Sequence, residues 1–120
     1  MISIQHPRLI QGGMGIAVSN WVLAKAVSRL GYLGVVSGTA INSVLVRRLQ
    51  DGDLDGSTRR ALNHFPAPEI ATNILQTYFI EGGKPQDQPY KRAPLYNLKS
   101  SVLLLQQTMV ASFVEFFLAK

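Results

Sequence analysis

Cysteine is absent from the 120 residues. That excludes disulfides, thiolate catalysis and Cys-ligated metal in this segment. It is also compatible with a cytoplasmic protein, because cytosolic chains rarely rely on disulfides. Charge is thin: 16% of residues are charged, and 7 acidic residues face 12 Lys and Arg. The net +5 would suit an anionic partner. The cations come as scattered pairs, Arg47-Arg48, Arg59-Arg60 and Lys91-Arg92. No interleaved aromatics, zinc spacing or RNA-binding signature accompanies them, so solvated helix faces and a loop explain them and no nucleic-acid partner is expected. The first seven residues hold no basic run ahead of an apolar core, so a signal peptide is not expected. His64 is the only internal histidine, and its place near a helix end points to a cap or surface role.

Glycine, by contrast, is placed with a pattern. A short extended run over residues 7–10 empties into Ile10-Gln-Gly-Gly-Met-Gly15. Gly12, Gly13 and Gly15 carry no Cβ, so a flat ligand or a phosphate can lie against the backbone. The N–H groups of such a turn suit electron-rich ligand atoms. Ser19 or Asn20 can cap a helix that runs to Leu30, with Gly31 as its C′ residue. Leu23, Ala24, Val27 and Leu30 share one face of it. Residues 32–37 then read as a second strand, apolar enough to be buried on both faces, ending in Gly38-Thr39. Thr39 to Asn42 can cap a further helix over residues 43–50, stopped by Asp51-Gly52-Asp53. Strand, helix and strand make one right-handed crossover. Loops 12–19 and 37–42 would then share one mouth, at the carboxyl ends of the strands.

Residues 7–15, with Val35-Val-Ser-Gly-Thr39 after the first helix, resemble the nitronate monooxygenases, formerly called 2-nitropropane dioxygenases. That group is similar to the flavin-dependent enoyl-ACP reductases. The resemblance is clearest over residues 7–50 and looser through residues 47–52 and 113–120. It implies an α/β fold: the N-terminal part of an FMN-binding (β/α)8 TIM barrel, with two βα units and a largely helical insertion. It implies that Gln11, Gly12, Gly13 and Met14 contact the flavin, largely through backbone atoms, and that Ser37 and Gly38 approach it from the second strand. The family's catalytic histidine and phosphate-binding loops would lie beyond residue 120. The implied reaction is oxidation of an alkyl nitronate by FMN, with dioxygen reoxidising the flavin. A flavin enoyl reductase, using NAD(P)H and an enoyl thioester, is the alternative. A small basic interaction module without catalysis is a third possibility.

A whole barrel takes about 250 residues, so 120 read as roughly half of one. On that expectation residues 7–52 are the first two βα units and 53–99 an insertion. Within the insertion, residues 58–65 and 69–79 read as helices, the second with Ile70, Ile74, Leu75 and Tyr78 on one face. Pro85 to Pro94 read as a loop. Residues 100–120 form a helix, capped by Ser100 or Ser101, that leads to a missing third strand. This helix is apolar enough to raise a membrane span, but Gln106, Gln107, Thr108, Ser112 and Glu115 favour a core-facing helix and no membrane partner. Asp51-Gly-Asp53-Leu-Asp55 lacks the full ligand series of a calcium loop and reads as a helix stop and turn. Trp21 is expected to anchor the first helix to the sheet.

Overall fold

The computed structural model describes residues 8–12, 15, 16, 18, 20–94 and 101–120. Its regular elements are α1 (Trp21–Arg29), α2 (Ile41–Gln50), α3 (Ser57–Leu62), α4 (Pro68–Tyr78) and α5 (Val102–Ala119). The expected barrel units are therefore corrected: among the described residues there is no strand and no sheet, and the chain is a small helical domain.

What remains of the expected parallel pair is a single bridge, Ile10 to Leu33. The Leu33 N–H donates to Leu9 O at 3.0 Å, and the Gln11 N–H donates to Leu33 O at 2.9 Å. The physical reason the pair does not grow is lack of cover. A parallel strand is stable when neighbours and helices bury both its faces. Here Ile10 is 62% exposed and Leu33 46%, so no layer lies over them. The apolar run at 32–37 signalled burial that Tyr32 and Leu33 do not obtain and that Val36 obtains only in part, against the helical core.

The helical core forms around α5, which packs against α1, α2, α3 and α4. Leu104, Val110, Ala111, Val114 and Leu118 of α5 are at most 1% exposed. They meet Leu45, Val46 and Leu49 of α2, Ala61 and Leu62 of α3, and Ile74 and Tyr78 of α4 within one apolar cluster, apart from Leu104. Burying a Leu or Val side chain fully contributes about 1.5–3 kcal/mol of transfer free energy. By length and composition alone α5 could cross a membrane, yet 39% of it is buried within the domain, and its inward face is the core. Helices α3 and α4, expected in an insertion, are part of that core.

The helix ends follow local rules. Asn20 caps α1: its Oδ1 accepts from the N–H groups of Val22 and Leu23. At the other end Gly31, at φ +86, donates to Ser28 O while the Tyr32 N–H donates to Val27 O. That is a Schellman motif. Ser101 caps α5 through Leu104 N–H. Helix α2 departs from expectation. Its N-cap is Ala40, in the left-handed region at φ 48, with no side-chain cap. The Asp51 to Asp55 run is indeed a helix stop. Gly52 turns the chain at φ +100, and the Asp53 carboxylate accepts from the N–H groups of Thr58 and Arg59 to open α3.

The loop after α4 is stitched to the end of α2. Ile80 N–H donates to Leu49 O, Lys84 N–H to Gln50 O, and the Gln50 amide exchanges hydrogen bonds with the Lys91 backbone. The first two satisfy carbonyls that a helix C-terminus leaves open. The chains approach so closely that a Cβ on Gly52 would stand 2.7 Å from Gly83 N.

Candidate functional site

The expected ligand loops leave the Ile10–Leu33 bridge in the same direction, because the bridge is parallel. Gln11 ties them together. Its Nε2 donates to Val35 O at 2.9 Å, and its Oε1 accepts from the Val35 N–H at 3.2 Å. The Gln11 side chain is thus spent on positioning, and the expectation of flavin contact there narrows to its backbone. Gly12 follows the clamp and is exposed. Gly13 and Met14 lie outside the described residues. Ser37, half-buried, accepts the Thr39 N–H on its Oγ at 3.3 Å. Gly38 is exposed, and its carbonyl accepts the Ile41 N–H as α2 begins.

The glycines differ in what surrounds them. A Cβ on Gly34 would stand 2.2 Å from Ala24 O, so that glycine is required where the chain crosses α1. Gly12, Gly15 and Gly38 have nothing within 4 Å of such a Cβ and do not adopt a left-handed φ. Neither packing nor backbone conformation within the described residues calls for glycine at these three places.

A groove of about 550 Å³ lies beside these loops, lined by Ile16, Ala40, Ser43, Val44, Arg47, Arg48 and Asp51. Its floor is the outer face of α2. The strained Ala40 stands at its edge; a non-glycine residue in the left-handed region costs on the order of 1–3 kcal/mol and concentrates at functional sites.

Sequence reasoning missed how the Arg47-Arg48 pair divides. Successive residues of a helix point about 100° apart, so neighbours cannot share a face. Arg48 turns inward and forms an ion pair with Glu115, whose side chain is 5% exposed. The other Glu115 oxygen accepts the Trp21 N–H at 2.8 Å. One buried carboxylate therefore joins α1, α2 and α5. The available signal was a lone acid on the face of α5 that carries Val114 and Leu118. Arg47 stays outside, 5.0 Å from the centre of the Tyr90 ring. The Tyr90 hydroxyl donates to Asp51 Oδ1 at 2.6 Å, which raises its pKa above the usual phenol value.

Trp21, expected against a sheet, packs on the helical core instead. His64 is exposed; its Nδ1 lies 2.9 Å from Arg60 O, and its ring stacks on Phe117 at 4.7 Å. It lies just past the end of α3 and does not line the groove beside the glycine loops. No group of His, Cys, Asp and Glu among the described residues is arranged to hold a metal ion. No protein-family model, curated protein or solved structure matches this chain.

Proposed function

We propose that this chain serves an FMN-dependent oxidoreductase acting on alkyl nitronates, and that its part is to hold the flavin ring. The observation that carries this is the set of glycines without an internal reason: Gly12, Gly15 and Gly38, on two loops joined by the Gln11–Val35 clamp. Backbone left bare in this way accepts a flat ring at van der Waals distance, where any side chain would push it off. The groove over α2, with Ile16 and Ala40 in its lining, lies beside these loops and supports the reading.

When bound, FMN would take electrons from the nitronate and pass them to dioxygen. The chain's own residues orient and hold. Gln11 sets the separation of the two loops. Ser37 fixes the second loop by holding the Thr39 N–H. Backbone N–H groups of the loop that starts at Gly12 would donate to the electron-rich edge of the ring. Cytoplasmic residence belongs to the same proposal and rests on the cysteine-free composition.

The test is an FMN titration of the chain followed by flavin fluorescence, with Gly12→Val and Gly38→Val alongside; turnover of nitronate by these 120 residues alone is not expected, because the resemblance puts the catalytic histidine beyond residue 120. Saturable FMN binding that both variants weaken is the expected result. Binding that ignores both substitutions, or no binding to the wild-type chain, would sink the proposal.

A further inference from the structure

On the far side of the Ser43–Arg47 ridge from the glycine loops lies a second, smaller cavity. It encloses about 240 Å³ and is lined by Ser43, Val46, Arg47, Tyr90, Lys91, Arg92 and Ala93. Three cations, Arg47, Lys91 and Arg92, and two hydroxyl residues, Ser43 and Tyr90, line it, and no carboxylate does. Among the described residues the ion pairs are Arg48–Glu115 and Arg59–Asp53, so neither engages the cations of this cavity. Asp51, the acid bound to the Tyr90 hydroxyl, lines the groove on the other side.

The cations are gathered by structure. Lys91 is fixed by its backbone: its N–H donates to Gln50 Oε1 and its carbonyl accepts from Gln50 Nε2. Tyr90 is fixed through Asp51, and its ring draws Arg47 to 5.0 Å and Lys84 to 4.5 Å of its centre. Of these two only Arg47 lines the cavity, while the Lys91 ammonium lies 5.8 Å from the centre of the Tyr78 ring. Cations brought close to one cavity repel one another, and an anion would relieve that. Two arginines and a lysine lining one cavity with the Ser43 hydroxyl suit a phosphate, because arginine forks match phosphate oxygens two at a time.

We propose that this cavity binds the phosphate group of a small phosphorylated ligand, with Arg47, Lys91 and Arg92 as its charge partners and Ser43 as a neutral donor. The proposal stands apart from the flavin reading, because it is tested without flavin. All three cations are largely exposed, so the affinity should fall as salt screens them.

The experiment is a titration of the full chain with pyrophosphate at low ionic strength, followed by backbone amide NMR. Saturable shifts confined to Ser43, Arg47 and residues 90–93 are expected. Arg47→Gln with Lys91→Gln should weaken binding by about tenfold or more, in line with losing charge-assisted bonds. Arg92→Gln, on an exposed loop, tests the same site without touching a helix. Lys25→Gln with Arg29→Gln removes equal charge from α1 and should leave binding unchanged. Linear, non-saturating shifts would overturn the proposal, as would equal weakening by the α1 control. FMN and riboflavin then identify the source of the phosphate. If pyrophosphate displaces FMN but not riboflavin, the cavity takes the flavin's own phosphate; if it displaces neither, the cavity takes a separate phosphoester.

Discussion

The described residues of 8–38 and of 41–120 hold their shapes by different means. The second region is a helical core whose central side chains are wholly buried, and Leu49 and Val110 are 0% exposed. The first region exposes Leu9, Ile10, Ile16, Val18, Leu30 and Leu33. Beyond the packing of α1 on α5 and of Trp21 and Val36 on the core, it is held by a few directed bonds: one parallel bridge, the Gln11–Val35 clamp, and the Trp21 N–H on Glu115. The glycines of the first region are of two kinds. Gly31 and Gly34 are demanded by left-handed backbone and close approach, as Gly52 and Gly83 are in the second region, while Gly12, Gly15 and Gly38 are not. The lesson is that sequence features without a packing reason gather in the region with the least packing, which is where a ligand surface costs the fold least.

The largest expected effect tests the joint between the two regions. Glu115→Ala strands Arg48 beside a partly buried site and strips the acceptor from Trp21. Breaking a buried pair from one side typically costs about 3–5 kcal/mol. Urea unfolding should show that loss, and hydrogen exchange at Trp21 should accelerate. Glu115→Gln keeps an acceptor for Trp21 and should slow that exchange again while stability stays low. If Glu115→Ala unfolds like wild type, the joint is not what holds α1 down.

A pair of truncations measures the contrast itself. Leu49→Ala opens a cavity in the core and should cost about 2–5 kcal/mol. Ile10→Ala removes a side chain 62% exposed and should change stability by no more than about 0.5 kcal/mol. Equal losses would mean that the first region is as tightly packed as the second.

Much of the helical part was legible because its signals are local. Asn20, Gly31, Ser101 and the Asp51 to Asp55 turn each act on residues within a few positions. The face of α4 was legible from its period, since Ile74 and Tyr78 are buried as expected. The strands were not, because an apolar run states a need for cover and not whether cover exists. The polar interior was hidden for another reason. Glu115 meets Trp21 across 94 residues of sequence, and Gln107 meets Asn42 across 65. Such partners are fixed only by tertiary packing. At the candidate site the glycine loops could be read, but the role of Gln11 as a clamp on Val35 could not. The groove over α2 was equally hidden, since it exists only once α2 lies beside the first loop.

Glycine substitutions sharpen the division more gently. Gly83→Ala places a Cβ 2.9 Å from Asp51 O at φ +91 and should cost on the order of 1–3 kcal/mol. Gly12→Ala meets nothing within 4 Å and should leave stability unchanged while weakening FMN binding. Thermal denaturation separates the two, and a destabilised Gly12→Ala would remove the distinction on which the flavin proposal rests.

The smallest effect belongs to a turn inside the second region. The Ser57 backbone N–H donates to Asp55 Oδ1 at 3.0 Å, and that bond holds the Asp55 carboxyl below its usual range. A carboxylate with a depressed folded pKa stabilises the fold above its unfolded value, near 3.8, and loses that contribution as pH falls through the lower folded value. Asp55 is exposed, so water screens most of the gain, and its share should be smaller than that of Glu115, Leu49 or Gly83. Asp55→Asn should therefore fall slightly behind wild type at neutral pH, and the gap should close as pH falls below 3.8. Chemical denaturation of both chains from pH 7 to pH 3 reads this directly. A gap that widens towards acid would reverse the sign, and would mean that Asp55 is held by something other than the Ser57 N–H.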